Sequence, residues 1–201
     1  MVIPSLIEAG ILKQDIHVFS GGYLERSVKV VDEITYYELA HNSFEYSPLI
    51  DICENNIESE YWFLLHDTCK AGPNFKTLMV NIPENRPEKV ALMGSPAMSI
   101  GLYRYDYLQS VKDQLLSIRN TDYSAESMNR WKIWGVPNED FILWKTSPAP
   151  AVYENPGFDI VDHANWYGTE TIRRTEYYRS LDLYKNKSNW GQTGENMVVV
   201  V

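Results

Sequence analysis

Apolar residues along the chain recur at two different spacings, and the changes between them mark out its elements. Tyr46, Leu49, Ile50, Cys53 and Ile57 return at three- and four-residue intervals, the repeat of one helix face, with Ser43 placed to cap its start. Directly after them Tyr61-Trp62-Phe63-Leu64-Leu65 is apolar without a break, as expected of a strand buried on both faces of a sheet. The segment Tyr105 to Ile118 sets Leu108, Val111, Leu115 and Ile118 on one helical stripe. Short β-rich runs occur at Ile16–Phe19, Ile34–Tyr37, Lys89–Met93, Phe141–Trp144 and Phe158–Val161, the first closed by Ser20-Gly21-Gly22. Further helices are expected from Pro4 to Gly10, from Ser124 to Trp134 and, rich in charge, from Thr169 to Leu181. Pro73, Pro83 and Pro87 make the stretch they span mostly loop, with one short element near Leu78.

Strands alternate with helices through most of the chain, which predicts an α/β domain with a central mixed, largely parallel sheet flanked by helices. The length of 201 residues suits one sizeable domain, expected over residues 1–190. Both ends depart from that plan. A nucleotide-binding sheet usually opens on a central strand, yet this chain starts at the helix that should follow, with only Met1-Val2-Ile3 as a remnant. The polar stretch Lys185 to Asn196 has the composition of a linker and leads into Met197-Val198-Val199-Val200-Val201. That run is expected to be the first strand of a following domain or an edge strand added to this one, so residues 191–201 are assigned as linker and start of a possible following domain.

Charge narrows the function classes. A net charge of −9 argues against nonspecific nucleic-acid binding, which needs a basic surface, but not against an anionic nucleotide carried by a metal ion. Cys53 and Cys69 are too few for a disulfide framework and read as reduced, unreactive thiols. No segment is long and apolar enough to span a membrane and no signal segment opens the chain, so a soluble, cytoplasmic protein is expected. The aromatic share of 13%, with six Trp and fourteen Tyr, suits either core packing or stacking on sugar rings.

Asp67 follows the most apolar strand by two residues, and ligands of open α/β sheets bind at the carboxyl ends of strands. A carboxylate there must be paired, hydrogen-bonded or bound to a cation. Departure of a nucleoside diphosphate from a sugar would use it, because a divalent ion on the two phosphates stabilises the charge of the leaving group. Oxygen ligands favour Mg²⁺ or Mn²⁺, and a histidine in the shell favours Mn²⁺. His66, beside Asp67, is placed to touch the diphosphate or the sugar.

The passage Tyr61 to Thr68 resembles the DxD segment of GT-A-fold glycosyltransferases, in which an apolar strand runs into Asp-x-Asp. Leu65 stands where the first Asp would be and Asp67 matches the second, so the resemblance implies metal binding by Asp67 and puts Leu65 at the nucleotide-binding position where the family's first carboxylate touches ribose. Other pieces follow in order. Gly21 and Gly22 resemble the turn near the nucleotide, Asn42 to Tyr46 the helix start that flanks the base, and Ser99 to Tyr103, with Gly101, the turn facing donor and acceptor. The whole chain is similar to the glycosyltransferases that chlorella viruses encode to decorate their capsid protein. That resemblance implies a UDP-sugar donor, Mn²⁺ or Mg²⁺, and a glycan or protein acceptor, on a viral capsid protein in host cytoplasm if the source is viral. By the same resemblance His163 completes the metal shell, with Asp162 as an alternative, and Lys187 in a Lys-x-x-Trp-like tail neutralises diphosphate. Glu139 and Asp140 fall where inverting enzymes carry a catalytic base, although acidic residues also suit a helix N-terminus. Retention or inversion stays open. The reading from a different class is a carbohydrate-binding module without catalysis, which accounts for the aromatic excess but favours an all-β fold.

Overall fold

The computed structural model describes residues 2–93, 100–124, 126–127, 146–161, 172–188 and 197–200. In chain order the elements begin with helix α1 (Val2–Glu8) and strands β1 (Ile16–Gly21), β2 (Ser27–Val31) and β3 (Ile34–Leu39). Helix α2 (Ser47–Glu54), β4 (Tyr61–His66), β5 (Cys69–Ala71) and α3 (Phe75–Val80) come next. They are followed by β6 (Lys89–Ala91), β7 (Gly101–Arg104), α4 (Tyr105–Ser110) and α5 (Lys112–Ser117). The remaining strands among the described residues are β8 (Ala151–Val152), β9 (Phe158–Val161), β10 (Ile172–Tyr178), β11 (Leu183–Ser188) and β12 (Met197–Val200).

The strands form two sheets, an eight-stranded one in the order β2-β3-β1-β12-β4-β7-β6-β8 and a four-stranded one in the order β5-β11-β10-β9. In the large sheet β1, β3, β4, β6 and β8 share one direction, while β2, β7 and β12 run against them. Only β1 with β3 and β6 with β8 are hydrogen-bonded as parallel neighbours, so the sheet is mixed, as expected, but antiparallel at most of its seams. The small sheet is antiparallel throughout.

Strand β4 shows why the sheet needs cover on both sides. Its alternation sends Phe63 and Leu65 to one face and Trp62 and Leu64 to the other, and all four are buried. Phe63 and Leu65 join a core built from α1, α3 and the small sheet, including Leu6, Phe75, Tyr178 and Leu183. Trp62 and Leu64 join a second core against α2, α4 and α5, including Tyr46, Ile50, Leu108 and Leu115.

Several elements differ from the expected ones. The residues expected to form a charged helix at 169–181 are, where described, strand β10 and the turn that follows it. Arg174, Glu176 and Tyr178 alternate with Thr175 and Tyr177, and in a hairpin with β11 each gains a cross-strand partner that a helix would not supply. Lys185 to Ser188, read as the start of a linker, are that partner strand. Ser43 does not cap a helix through its side chain; its hydroxyl accepts the Asn120 N–H at 2.9 Å, while the Ser43 N–H donates to Ser47 Oγ at 2.8 Å. The stripe from Leu108 to Ile118 is two helices broken at Val111. Val2 and Ile3 belong to α1 rather than to a remnant strand, and the exposed strand β2 went unforeseen.

The valine run is neither an edge strand nor a segment apart from this sheet. As β12 it pairs antiparallel with β1 on one side and β4 on the other, from Met197 opposite Phe19 and His66 to Val200 opposite Ile16 and Phe63. A strand in that position satisfies two rows of backbone groups that would otherwise face each other across a gap. Deleting residues 197–200 should therefore lower the melting temperature by about 10 °C or more, or leave the chain insoluble. An unchanged thermal transition would show that β1 and β4 do not depend on it.

At the opposite end of β6, Lys89 is buried with its ammonium donating to the Thr146 carbonyl at 2.9 Å and Thr146 Oγ1 at 3.0 Å, over the Tyr107 ring. Burial pulls its pKa down to about 8, whereas an unfolded lysine titrates near ~10.4. Between those values the unfolded chain binds more protons, so stability should rise with pH from about 8 to about 10. Urea unfolding across that range should show the rise in the native chain and not in Lys89→Met.

Candidate functional site

The carboxyl ends of β1, β3, β4 and β6 lie along one edge of the large sheet, and the first residues of β7 and β12 lie there too because those strands run the other way. Gly21, His66 and Gly101 are thereby brought to a single edge. Phe19 and His66 flank Met197 from either side, and Gly101 lies opposite Leu64. With neighbouring strands spaced about 4.8 Å apart, β1 and β4 stand about 10 Å apart across β12.

At His66 the chain leaves the large sheet, turns through Asp67 and Thr68, and enters the small sheet as β5. The Asn186 N–H donates to the Thr68 carbonyl at 3.0 Å and holds this corner. His66 and Asp67 are each partly exposed, while His66 Nε2 and Asp67 Oδ1 are shielded from solvent. Leu65, the residue in place of the first carboxylate, is a core side chain.

The small sheet supplies the charge around the corner. Lys185 lies opposite Cys69 on β5 and Glu176 on β10, and Lys187 lies opposite Arg174. One face of this sheet thus passes from Ala71, Leu183 and Tyr178 in the core to Lys185, Glu176, Lys187 and Arg174. Lys185 is only 5% exposed, and its Nζ sits 3.0 Å from His66 Nδ1. Glu176, 1% exposed, accepts from the Tyr178 hydroxyl at 2.6 Å and from Arg174 Nε at 2.8 Å. Burial pushes the Cys69 thiol up to about 11 although Lys185 and Lys187 both pull it down, with Asp67 acting the other way. Cys69 is therefore a neutral thiol and a poor metal ligand, and both lysines and the aspartate lie within electrostatic reach of it.

The turn after β1 is shaped by its own chain. A Cβ on Gly21 would stand 2.7 Å from the His41 carbonyl oxygen, and Gly22 has φ +95°. Gly22 N–H donates to that same carbonyl at 3.1 Å, and Tyr23 N–H donates to Leu39 O at 3.0 Å. A few residues on, Arg26 grips Asp51 of α2 through Nε at 2.7 Å and Nη2 at 2.9 Å, and Asn55 Nδ2 adds a donor at 2.8 Å. The Asp51 carboxylate raises the guanidinium pKa further. Tyr46, expected beside the base, is fully buried in the second core.

Of the expected site residues, the fold brings Gly21, Gly22, His66, Asp67 and Gly101 toward one edge of the large sheet, sets Lys187 on the small sheet within electrostatic reach of Cys69, and places Leu65 and Tyr46 inside. Glu139, Asp140, Asp162 and His163 lie outside the described residues, as do Trp131, Trp134, Trp144, Trp166 and Trp190. Among the described residues no group of three or more His, Cys, Asp or Glu is arranged to hold a metal ion. Sequence reading missed Lys185, Glu176 and Arg26 as parts of the site and its support. The alternation of Arg174, Glu176 and Tyr178 against Lys185 and Lys187 is the signal that could have found the first two. No helix among the described residues is long and apolar enough to cross a membrane. Comparison with protein-family models, with curated proteins and with solved structures gives no match.

Arg26→Ala would leave the Asp51 carboxylate, 1% exposed, without its charged partner. The expected cost is about 3 kcal/mol, measured by urea unfolding. A loss below about 0.5 kcal/mol, the scale of an ordinary surface change, would show that water reaches Asp51 and that the pair does not hold the turn.

Proposed function

We propose that this protein is a GT-A-like glycosyltransferase that moves a sugar from a UDP-sugar to a glycan or protein acceptor. The observation that carries the reading is the corner after β4, where Asp67 stands beside His66 with Lys185 and Lys187 close by, at the carboxyl edge of a mixed α/β sheet. A departing nucleoside diphosphate gains negative charge, and fixed cations at that position lower the barrier. The nucleotide would lie along the edge between the Gly21-Gly22 turn and Asp67, with Gly101 toward the transferred sugar.

Asp67 offers the hard oxygen ligand that Mn²⁺ or Mg²⁺ takes, and Asp67, with His163 by the family resemblance, would hold the ion. When bound, it would supply Lewis-acid stabilisation of the leaving group. The chain's own residues supply the rest: the lysines attract and orient the anion, and Glu139 or Asp140 would take the acceptor proton in an inverting reaction. Among the described aromatic side chains, Trp62, Tyr46, Tyr103 and Tyr178 are core residues, while Tyr23 and Tyr123 are exposed.

Calorimetry with UDP, GDP and CMP, each with and without Mn²⁺, tests the proposal. UDP should bind best and only with the metal, and Asp67→Ala should abolish the metal dependence. Equal UDP binding in EDTA would remove Asp67 from the metal site, and absence of nucleotide binding would remove the reaction.

A further inference from the structure

We infer that β2 is a pairing edge whose occupant is the β2 strand of a second copy of this chain, laid antiparallel about a two-fold axis at Lys29. This surface is independent of the proposed nucleotide site, because β3, β1 and β12 stand between β2 and β4. β2 ends the large sheet: one side of it is hydrogen-bonded to β3, and no strand among the described residues pairs with the other. The turn at Asp32 and Glu33 decides which groups face that open side. Both residues have positive φ, 51° and 68°, as in the two-residue hairpin turn whose flanking pair, here Val31 and Ile34, exchanges both hydrogen bonds. Bonded and non-bonded pairs alternate along an antiparallel ladder, so Ser27, Lys29 and Val31 commit their backbone groups to β3. Val28 and Val30 turn their N–H and C=O groups outward, and the two residues are 48% and 67% exposed.

Edge strands that stay single are guarded by proline, by a bulge or by a lysine standing over the edge. β2 has no proline and keeps an unbroken register, from Ser27 opposite Glu38 to Val31 opposite Ile34. Its lysine is drawn back over the sheet: Lys29 Nζ donates to Glu38 Oε1 at 2.6 Å, and Ser27 Oγ donates to Oε2 of the same carboxylate at 2.6 Å. The strand's own charges select a second β2 as the occupant. Arg26 stands just before it and Asp32 just after it, so the antiparallel arrangement that sets Val28 opposite the partner's Val30 also sets Arg26 opposite the partner's Asp32. Lys29 meets the partner's Lys29 at the axis, each ammonium already paired with Glu38 of its own chain. Val28 and Val30 gain the backbone bonds that β3 does not give them, and their side chains meet on the face that carries Tyr37 and Thr35. A strand of 5 residues is a small seam beside the ~1,200–2,000 Å² of a standard interface, so the association is weak and reversible.

Sedimentation equilibrium of the full chain from about 10 µM to about 1 mM tests this. The native chain should pass reversibly from monomer toward dimer. Val30→Lys, a change at an exposed position, should leave the melting temperature unchanged and weaken the association about tenfold or more. Asp32→Asn, which keeps a side chain tolerant of positive φ, should weaken it about threefold, the worth of one exposed ion pair. Amide hydrogen exchange should slow at Val28 and Val30 as concentration rises and stay constant at Lys29 and Val31, whose amides are bound to β3 throughout. A chain that stays monomeric over the whole range overturns the inference. So does a dimer that survives Val30→Lys or protects other amides but not those of Val28 and Val30, because its seam lies elsewhere, and so does growth past the dimer, because a two-fold seam closes.

Discussion

A strand that is apolar on both faces is stable only when both faces are covered, and β4 imposes that requirement on the rest of the chain. Trp62 and Leu64 call for the layer of α2, α4 and α5, and Phe63 and Leu65 for α1, α3 and the small sheet. The two cores lie on opposite faces of the large sheet, and β4 gives two buried side chains to each. Truncating Phe63 would forfeit packing with Phe75 and the α1 residues together, at a cost of about 3–5 kcal/mol. The site inherits its rigidity from the same source, because Asp67 begins where the two-sided burial ends.

Polarity changes abruptly there. Leu65 is fully buried, His66 is half in the sheet, and Asp67 is the turn itself. The small sheet brings Lys185 alongside on β11, with its Nζ 3.0 Å from His66 Nδ1, and Lys187 within electrostatic reach of Cys69. Its own buried carboxylate, Glu176, is held by Arg174 and Tyr178, so the cationic strand is balanced within the sheet.

Much of this was legible in the sequence where burial and periodicity agree. The two-sided strand, the α2 stripe and the position of Asp67 follow from runs whose neighbours in the chain are also their neighbours in burial. The legible part ended where partners are distant. Nothing local in Arg174-Thr175-Glu176 separates an exposed helix from a buried hairpin strand; the choice is made by β11 and by the core beneath it. Asp51 likewise reads as the polar side of an amphipathic helix until Arg26 is seen to reach it from another element. The order of neighbours is hidden for the same reason, since β7 and β12 insert antiparallel between strands that share one direction. Gly21 and Gly22 read in the sequence as a turn that closes a strand; the fold adds that Gly21 is required by the approach of the His41 carbonyl.

The place of β12 also bears on the order in which the molecule assembles. The hairpin of β2 and β3 is made from adjacent segments, and β1 joins β3 across a short interval, so these contacts close quickly. The seam between β1 and β4 closes only through residues far along the chain, after a long loop has been brought to ground. Refolding should therefore pass through a species whose two halves are already structured while the middle of the sheet stands open. Such a species is prone to pair with the same strands of another molecule. Concentration and a peptide carrying the valine segment would then govern the yield of refolded protein more than temperature does.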